Sequence, residues 1–81
     1  MPTYELLRGR VSVDGLSTLV YCKGCGEVHR HPRNSVDPTR PVGDSSGYKI
    51  APCGRSGYAV EEVGRFGAEQ DELSWIKAVT G

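Results

Sequence analysis

The chain contains the stretch Cys22-Lys-Gly-Cys25-Gly-Glu-Val-His29-Arg-His31, which places two cysteines and two histidines within ten residues. A third cysteine follows in the segment Gly47-Tyr-Lys-Ile-Ala-Pro-Cys53-Gly54. A structural zinc ion takes about four sulfur and nitrogen ligands in a tetrahedron. The two segments together supply just enough donors for one ion, so Zn²⁺ is the predicted cofactor.

The spacing of the first two cysteines is typical of a zinc knuckle. A turn at Lys23-Gly24 would follow a strand that ends at Cys22, and Gly26 can adopt positive φ. Backbone amides in such a turn point towards the sulfurs, and the two-residue spacing lets both sulfurs reach one ion. A redox pair instead needs a reactive cysteine at a helix amino terminus. The flanking glycines carry no helix signal, so structural zinc is favoured over a redox pair or two cysteines buried as small apolar residues.

The predicted metal ligands are Cys22, Cys25, His29 and Cys53, with His31 as the alternative fourth ligand. Alternation along a returning strand from residue 27 to 31 puts both histidines on one face, and His29 is preferred because it is nearer the turn. Four protein ligands leave no open coordination position, which is typical of a structural site.

Three thiolates on one Zn²⁺ leave a net charge of minus one. Nearby Lys23, Arg30 or Arg33 are expected to offset that charge rather than to bind phosphate.

The 81 residues are expected to form a single zinc-stapled domain, because a chain this short buries too little surface for a wide stability margin. Strand-forming segments and turn residues predict an α+β fold with a small curved antiparallel sheet of about five short strands. The predicted strands cover residues 3–13 with a bend at Gly9, then 16–22, 27–31, 48–52 and 57–63. Asp14-Gly15 is the predicted hairpin turn between the first two.

Two further elements complete the prediction. Residues 32–47 lack apolar periodicity and form a long loop, which is either functional or mobile. Residues 68–79 predict a carboxy-terminal helix, because acidic residues occupy the first turn and Lys77 lies near the last. The predicted apolar stripe of this helix is Leu73, Ile76 and Val79, with Trp75 beside them.

The chain shows neither a secretory-signal pattern nor an apolar run of about 20 residues, so we expect a soluble, cytoplasmic protein without membrane contact. Its three cysteines are an odd number, and a reducing compartment disfavours disulfides. Thiolate ligands are therefore the better account of the cysteines.

The pattern Cys22-x2-Cys25-Gly26-x2-His29-x-His31, followed by Gly47 to Cys53 and Gly57-Tyr-Ala-Val60, resembles a group of small zinc-binding proteins of actinobacteria and their phages. The resemblance covers about residues 20–62 and implies bound zinc and a phage or actinobacterial origin. It implies no activity, because that group has none assigned. Other members of the group often have histidine at the positions of Tyr48 and Pro52. If those histidines bind the metal in the group, His29 or His31 would have to supply the ligand in this chain.

Charge and motifs favour binding over catalysis. The formal net charge is zero, whereas nonspecific nucleic-acid binders usually carry a basic excess. We therefore expect an interaction module that binds a protein partner through the loop 32–47 or the helix with Trp75.

Nucleic-acid binding is the alternative, through cations and aromatic rings around the knuckle. The cations are Lys23, Arg30, Arg33, Arg40, Lys49 and Arg55, and the candidate stacking rings are Tyr21, Tyr48 and Tyr58. An enzyme is not expected, because the chain shows no general base beside an open metal position. It also has no further histidine and helix downstream of His29 and His31 to hold the divalent ion of a metal nuclease.

Overall fold

The computed structural model describes residues 5–22, 25–33, 39–50 and 57–81. The elements found over these residues are, in chain order, β1 (Glu5–Val11), β2 (Ser17–Cys22), β3 (Glu27–Pro32), β4 (Gly47–Lys49), β5 (Tyr58–Arg65) and α1 (Glu69–Thr80). The strands form one curled sheet in the order β3-β2-β1-β5-β4. The predicted α+β class, with about five short strands and a carboxy-terminal helix, is confirmed.

Three of the four strand pairings are antiparallel, as expected, and the fourth is parallel. The parallel pair joins β1 to β5, with Glu5 opposite Tyr58. Turn residues predict how consecutive strands pair, but β1 and β5 are far apart in the chain and no tight turn relates them. The sheet is therefore mixed.

The predicted turn at Asp14-Gly15 joins β1 to β2. Asp14 Oδ1 accepts hydrogen bonds from the Ser12 hydroxyl (2.5 Å) and the Leu16 amide (2.9 Å). Gly15 has φ of 76°, a conformation that is rarely adopted by other residues. The side-chain hydrogen bonds of Asp14 and the positive φ of Gly15 thus stabilise the turn of the hairpin.

Gly9 allows β1 and β2 to approach closely. The register of β1 against β5 shifts between Gly9 and Arg10, next to the glycine at which a bend is predicted. A Cβ on Gly9 would lie 2.7 Å from Thr18 Cγ2 and 2.8 Å from Val20 Cγ1. Only a residue without a side chain fits at this point.

The sheet has an inner face, which carries the core, and an outer face. The buried apolar cluster on the inner face comprises Leu7, Val20, Tyr58 and Val60. Strand alternation and register place Cys22, His29 and His31 on this same face. The predicted shared face of the two histidines is confirmed, since both are buried while Arg30 between them is exposed.

Helix α1 lies against the outer face, where Glu72 pairs with Arg30 at 2.9 Å and Trp75 packs on Phe66 with ring centroids 5.6 Å apart. Its bounds agree with the predicted 68–79 to within one residue. No helix among the described residues is both long and apolar enough to cross a membrane.

The predicted apolar stripe of the helix is partly wrong. Leu73 is 57% exposed, whereas Glu72 is buried and Trp75, Ile76 and Val79 are half-buried. The buried stripe therefore begins one residue earlier, at a glutamate whose charge is paired by Arg30. A stripe predicted from apolar residues alone leaves out Glu72, because its side chain is charged.

Replacing Gly9 by alanine should destabilise the protein by about 1–3 kcal/mol, because the added methyl group overpacks the contact between β1 and β2. Gly64→Ala is the matched control: its Cβ would meet no atom within 4 Å and its φ is not positive. Urea unfolding followed by circular dichroism measures both variants. Equal losses of stability in the two would contradict the close-approach account.

Candidate metal centre

The hairpin of β2 and β3 brings three of the predicted ligands together. Cys22 ends β2, His29 lies in β3 opposite Val20, and Cys25 lies in the connection between the strands. Gly26 takes the predicted positive φ of 73°, and its amide donates a 2.8 Å hydrogen bond to the Cys22 carbonyl oxygen. The local backbone thus turns both cysteines towards the histidine.

The donor atoms of Cys22, Cys25 and His29 all lie within 4.8 Å of one another. Cys25 Sγ lies 3.3 Å from His29 Nε2. Bond lengths of about 2.3 Å to sulfur and 2.0–2.1 Å to nitrogen place the ligand atoms of a tetrahedral zinc about 3.6–3.8 Å apart. The three donors fit around one metal ion with small adjustments.

The donors differ in exposure. Cys22 is completely buried, His29 is 7% exposed, and Cys25 lies at the surface. The candidate site therefore lies at the rim of the inner face, closed on the side of the sheet and open at Cys25. Cys53, the predicted fourth ligand, lies outside the described residues, as do Lys23 and Gly24.

His31 has a different partner. Its Nε2 atom shares a 2.5 Å hydrogen bond with the Tyr58 hydroxyl, and the two rings meet edge to face at 77°. Burial lowers the pKa of His31, and the nearby charge of Lys49 acts in the same direction. This neutral imidazole belongs to the core, next to the cluster of Cys22, Cys25 and His29.

A buried ion pair on the inner face escaped sequence reasoning. Arg33 and Glu62 are joined by two hydrogen bonds of 3.1 Å, and their side chains are 1% and 0% exposed. Thr18 donates a further hydrogen bond of 2.5 Å to Glu62. The alternation of β5 could have indicated this pair, because it places Glu62 on the same face as the apolar residues of the strand. A carboxylate that is buried there needs a cationic partner.

This pairing corrects the expectation that Arg30 or Arg33 offsets the charge of a zinc thiolate site. Arg33 is bound to Glu62, and Arg30 is bound to Glu72. Both guanidinium groups therefore form ion pairs with glutamates, and neither ion pair was predicted from the sequence. Lys23, the third candidate, is among the residues not described.

The same ion pair anchors the described part of the predicted loop 32–47. Arg33 donates to the carbonyl oxygens of Arg40 (3.3 Å) and Pro41 (2.7 Å), and Glu62 accepts from the Gly43 amide at 2.8 Å. Residues 39–46 are thereby held against the inner face at Glu62. The ends of the predicted loop belong to strands, since Pro32 closes β3 and Gly47 opens β4.

The partners of Glu62 also set its protonation. Burial alone raises the pKa of Glu62, but hydrogen bonds from Thr18, Arg33 and the Gly43 amide, with the charge of Arg33, lower the pKa below its ordinary 4.5. Glu62 is therefore ionised in the folded protein at neutral pH. Its contribution to stability is present above pH 4.5 and is lost as the pH falls through the lowered folded value.

Comparison of the chain with known protein families, with characterised proteins and with solved structures finds no match.

Replacing Glu62 by glutamine should lower the free energy of unfolding by about 3–5 kcal/mol near pH 7, because Arg33 would remain buried without a counter-charge. The difference from the wild type should shrink as the pH falls below 4.5, since the wild-type carboxylate then becomes protonated. Urea titrations across this pH range measure both effects.

The exposed neighbour Glu61, which faces Arg8 across β1 and β5, provides the control variant Glu61→Gln. All other groups titrate alike in the three proteins, so the differences between them isolate the glutamate. A constant gap between wild type and Glu62→Gln at every pH would contradict the assignment.

Proposed function

We propose that the chain is a small zinc-binding interaction domain, in which one structural ion is held by Cys22, Cys25, His29 and Cys53. The observation that carries the proposal is the convergence of two sulfurs and one imidazole nitrogen within 4.8 Å at one hairpin. The ion fixes the connection between β2 and β3, and Cys53 ties a distant segment to it.

Ligand chemistry supports zinc over other common ions. Calcium and magnesium take oxygen ligands, whereas thiolate and imidazole donors in a tetrahedral set are typical of zinc. The exposure of Cys25 also argues against the alternative that the cysteines serve only as small apolar residues, because such a cysteine is usually buried. Cys25 is exposed and lies beside His29, as a ligand at the rim of a site would.

The proposed metal role is structural rather than catalytic. With Cys53 as the fourth ligand the coordination shell is complete, and no position is left for water or substrate. The described apolar core cluster is small, comprising four residues. For a domain of this size the binding energy of the ion adds directly to folding energy.

A partner surface is supported by apolar side chains on the outer face. Leu6, Ala59 and Tyr48 lie in one row across β1, β5 and β4, and Leu6 and Tyr48 are 61% and 54% exposed. Helix α1 lies over the other half of this face, at β3. Exposed apolar residues grouped in this way are typical of surfaces that bind other proteins.

The nucleic-acid alternative loses several of its candidate residues. Arg33 and Tyr58 are buried, and Arg30 and Arg40 are paired with Glu72 and Asp44. Stacking platforms and phosphate contacts need exposed rings and available cations. These contacts favour a protein partner.

A bacterial cytoplasm, of an actinobacterium or of a phage host, is the proposed setting. The origin rests on the resemblance of the cysteine and histidine pattern, and the compartment on the need for reduced thiolates.

Cobalt substitution distinguishes the two histidines. His31→Gln should retain the visible bands of tetrahedral cobalt, because His31 bonds to Tyr58, whereas His29→Gln should lose or shift them. Cys53→Ser should weaken the thiolate-to-cobalt band by about one third, since one of three thiolates is removed. Unchanged spectra for His29→Gln with loss for His31→Gln would reverse the ligand assignment.

The partner surface is tested by affinity capture from host lysate, followed by quantitative mass spectrometry. Tyr48→Ser and Leu6→Ser should each reduce the captured partner by tenfold or more, roughly the effect of losing one hot-spot residue. Leu73→Ser, an equally exposed leucine on the helix, is the matched control and should leave capture intact. Capture of the same proteins by all variants would contradict this placement of the surface.

A further inference from the structure

We propose that Cys25 is a site of oxidative modification, whose thiolate reacts with a hydroperoxide and thereby releases the metal ion. The inference rests on the proposed zinc site and adds to it a specific reactive atom, Cys25 Sγ. The observation behind it is the unequal exposure of the clustered donors: Cys25 lies at the surface, whereas Cys22 and His29 are buried.

Peroxide oxidises cysteines that are both thiolate in character and open to solvent. Coordination keeps a ligand sulfur in the thiolate form. Among the three clustered donors only Cys25 also meets the second condition. The sulfur of Cys22 is covered by the sheet, so a peroxide molecule reaches Cys25 first.

The chemistry of the first step is a two-electron oxidation. The Cys25 thiolate attacks one oxygen of the hydroperoxide, the S–O bond forms, and the O–O bond breaks. Sulfur is oxidised to sulfenic acid, and the second oxygen leaves as hydroxide (or alkoxide) and takes a proton. The peroxide is thereby reduced to water or an alcohol.

Cys22 is placed to complete the reaction. Its sulfur lies within 4.8 Å of the Cys25 sulfur, and a disulfide forms when the two sulfurs approach to about 2.05 Å. The Cys22 thiolate attacks the sulfenic sulfur, the S–S bond forms, the S–O bond breaks, and the departing hydroxide takes a proton. Two thiolates, one hydroperoxide and two protons thus give one disulfide and two molecules of water, or one of water and one of alcohol.

The disulfide removes two anionic ligands at once. Its sulfurs are neutral and bind zinc weakly, so the ion leaves the remaining ligands. The connection from β2 to β3 loses its metal crosslink, and among the described strands β3 lies at the edge of the sheet, next to β2. Oxidation of the exposed Cys25 sulfur therefore weakens the attachment of the edge strand β3 to the sheet.

The experiment uses the full chain purified with its metal under reducing conditions. Native mass spectrometry first measures bound zinc, hydrogen peroxide is then added in small molar excess, and a colorimetric chelator records zinc release. Dimedone labelling and peptide mapping identify the modified cysteine. The expected result is one Cys22–Cys25 disulfide for each zinc released, preceded by dimedone-labelled Cys25.

Two variants keep a metal ligand while removing one thiol. Cys25→His should bind zinc and release it at least roughly tenfold more slowly in peroxide, because the exposed thiolate is gone. Cys22→His should accumulate sulfenic acid at Cys25 without this disulfide. If either variant fails to bind zinc, the peptide map of the peroxide-treated wild type tests the inference by showing which cysteine is modified first.

Three outcomes would overturn the inference: zinc retained through peroxide treatment, a first modification at Cys22, or a disulfide that joins Cys53. Each leaves the zinc proposal standing. Absence of zinc before peroxide is added would instead overturn the proposed function, and the inference with it.

Discussion

Polar groups that point into the curled sheet must find partners there, and this constraint organises the molecule. The inner face carries Cys22, His29 and His31 on the hairpin side and Glu62 on β5. Without partners the imidazoles and the carboxylate among these groups would cost several kcal/mol each when buried. Tyr58 satisfies His31, Arg33 and Thr18 satisfy Glu62, and one metal ion would satisfy the cysteine and histidine of the hairpin.

The sequence predicted the elements whose causes are local. Asp14-Gly15 set a hairpin through side-chain capping and positive φ, and Cys22, Cys25 and Gly26 set a turn that gathers ligands around His29. Those features depend on residues within about ten positions of one another. The hairpin and its ligand cluster were therefore accessible without a structure.

The remaining features depend on partners that are distant in the chain. The parallel pairing of β1 with β5, the Arg33–Glu62 pair and the Arg30–Glu72 pair join segments that no turn relates. Arg30 and Arg33 were expected to offset the charge of a zinc site, because composition does not reveal which carboxylate each one meets. Glu62 was the detectable exception, since its parity in β5 pointed inwards.

The central claim is that one zinc ion belongs to the folded chain. Native mass spectrometry of the protein, purified without added metal, tests it most directly. The account predicts one zinc for each chain, lost together with the folded charge-state distribution when a chelator is added. A folded protein of apo mass, with unfolding unaffected by zinc or chelator, would contradict it.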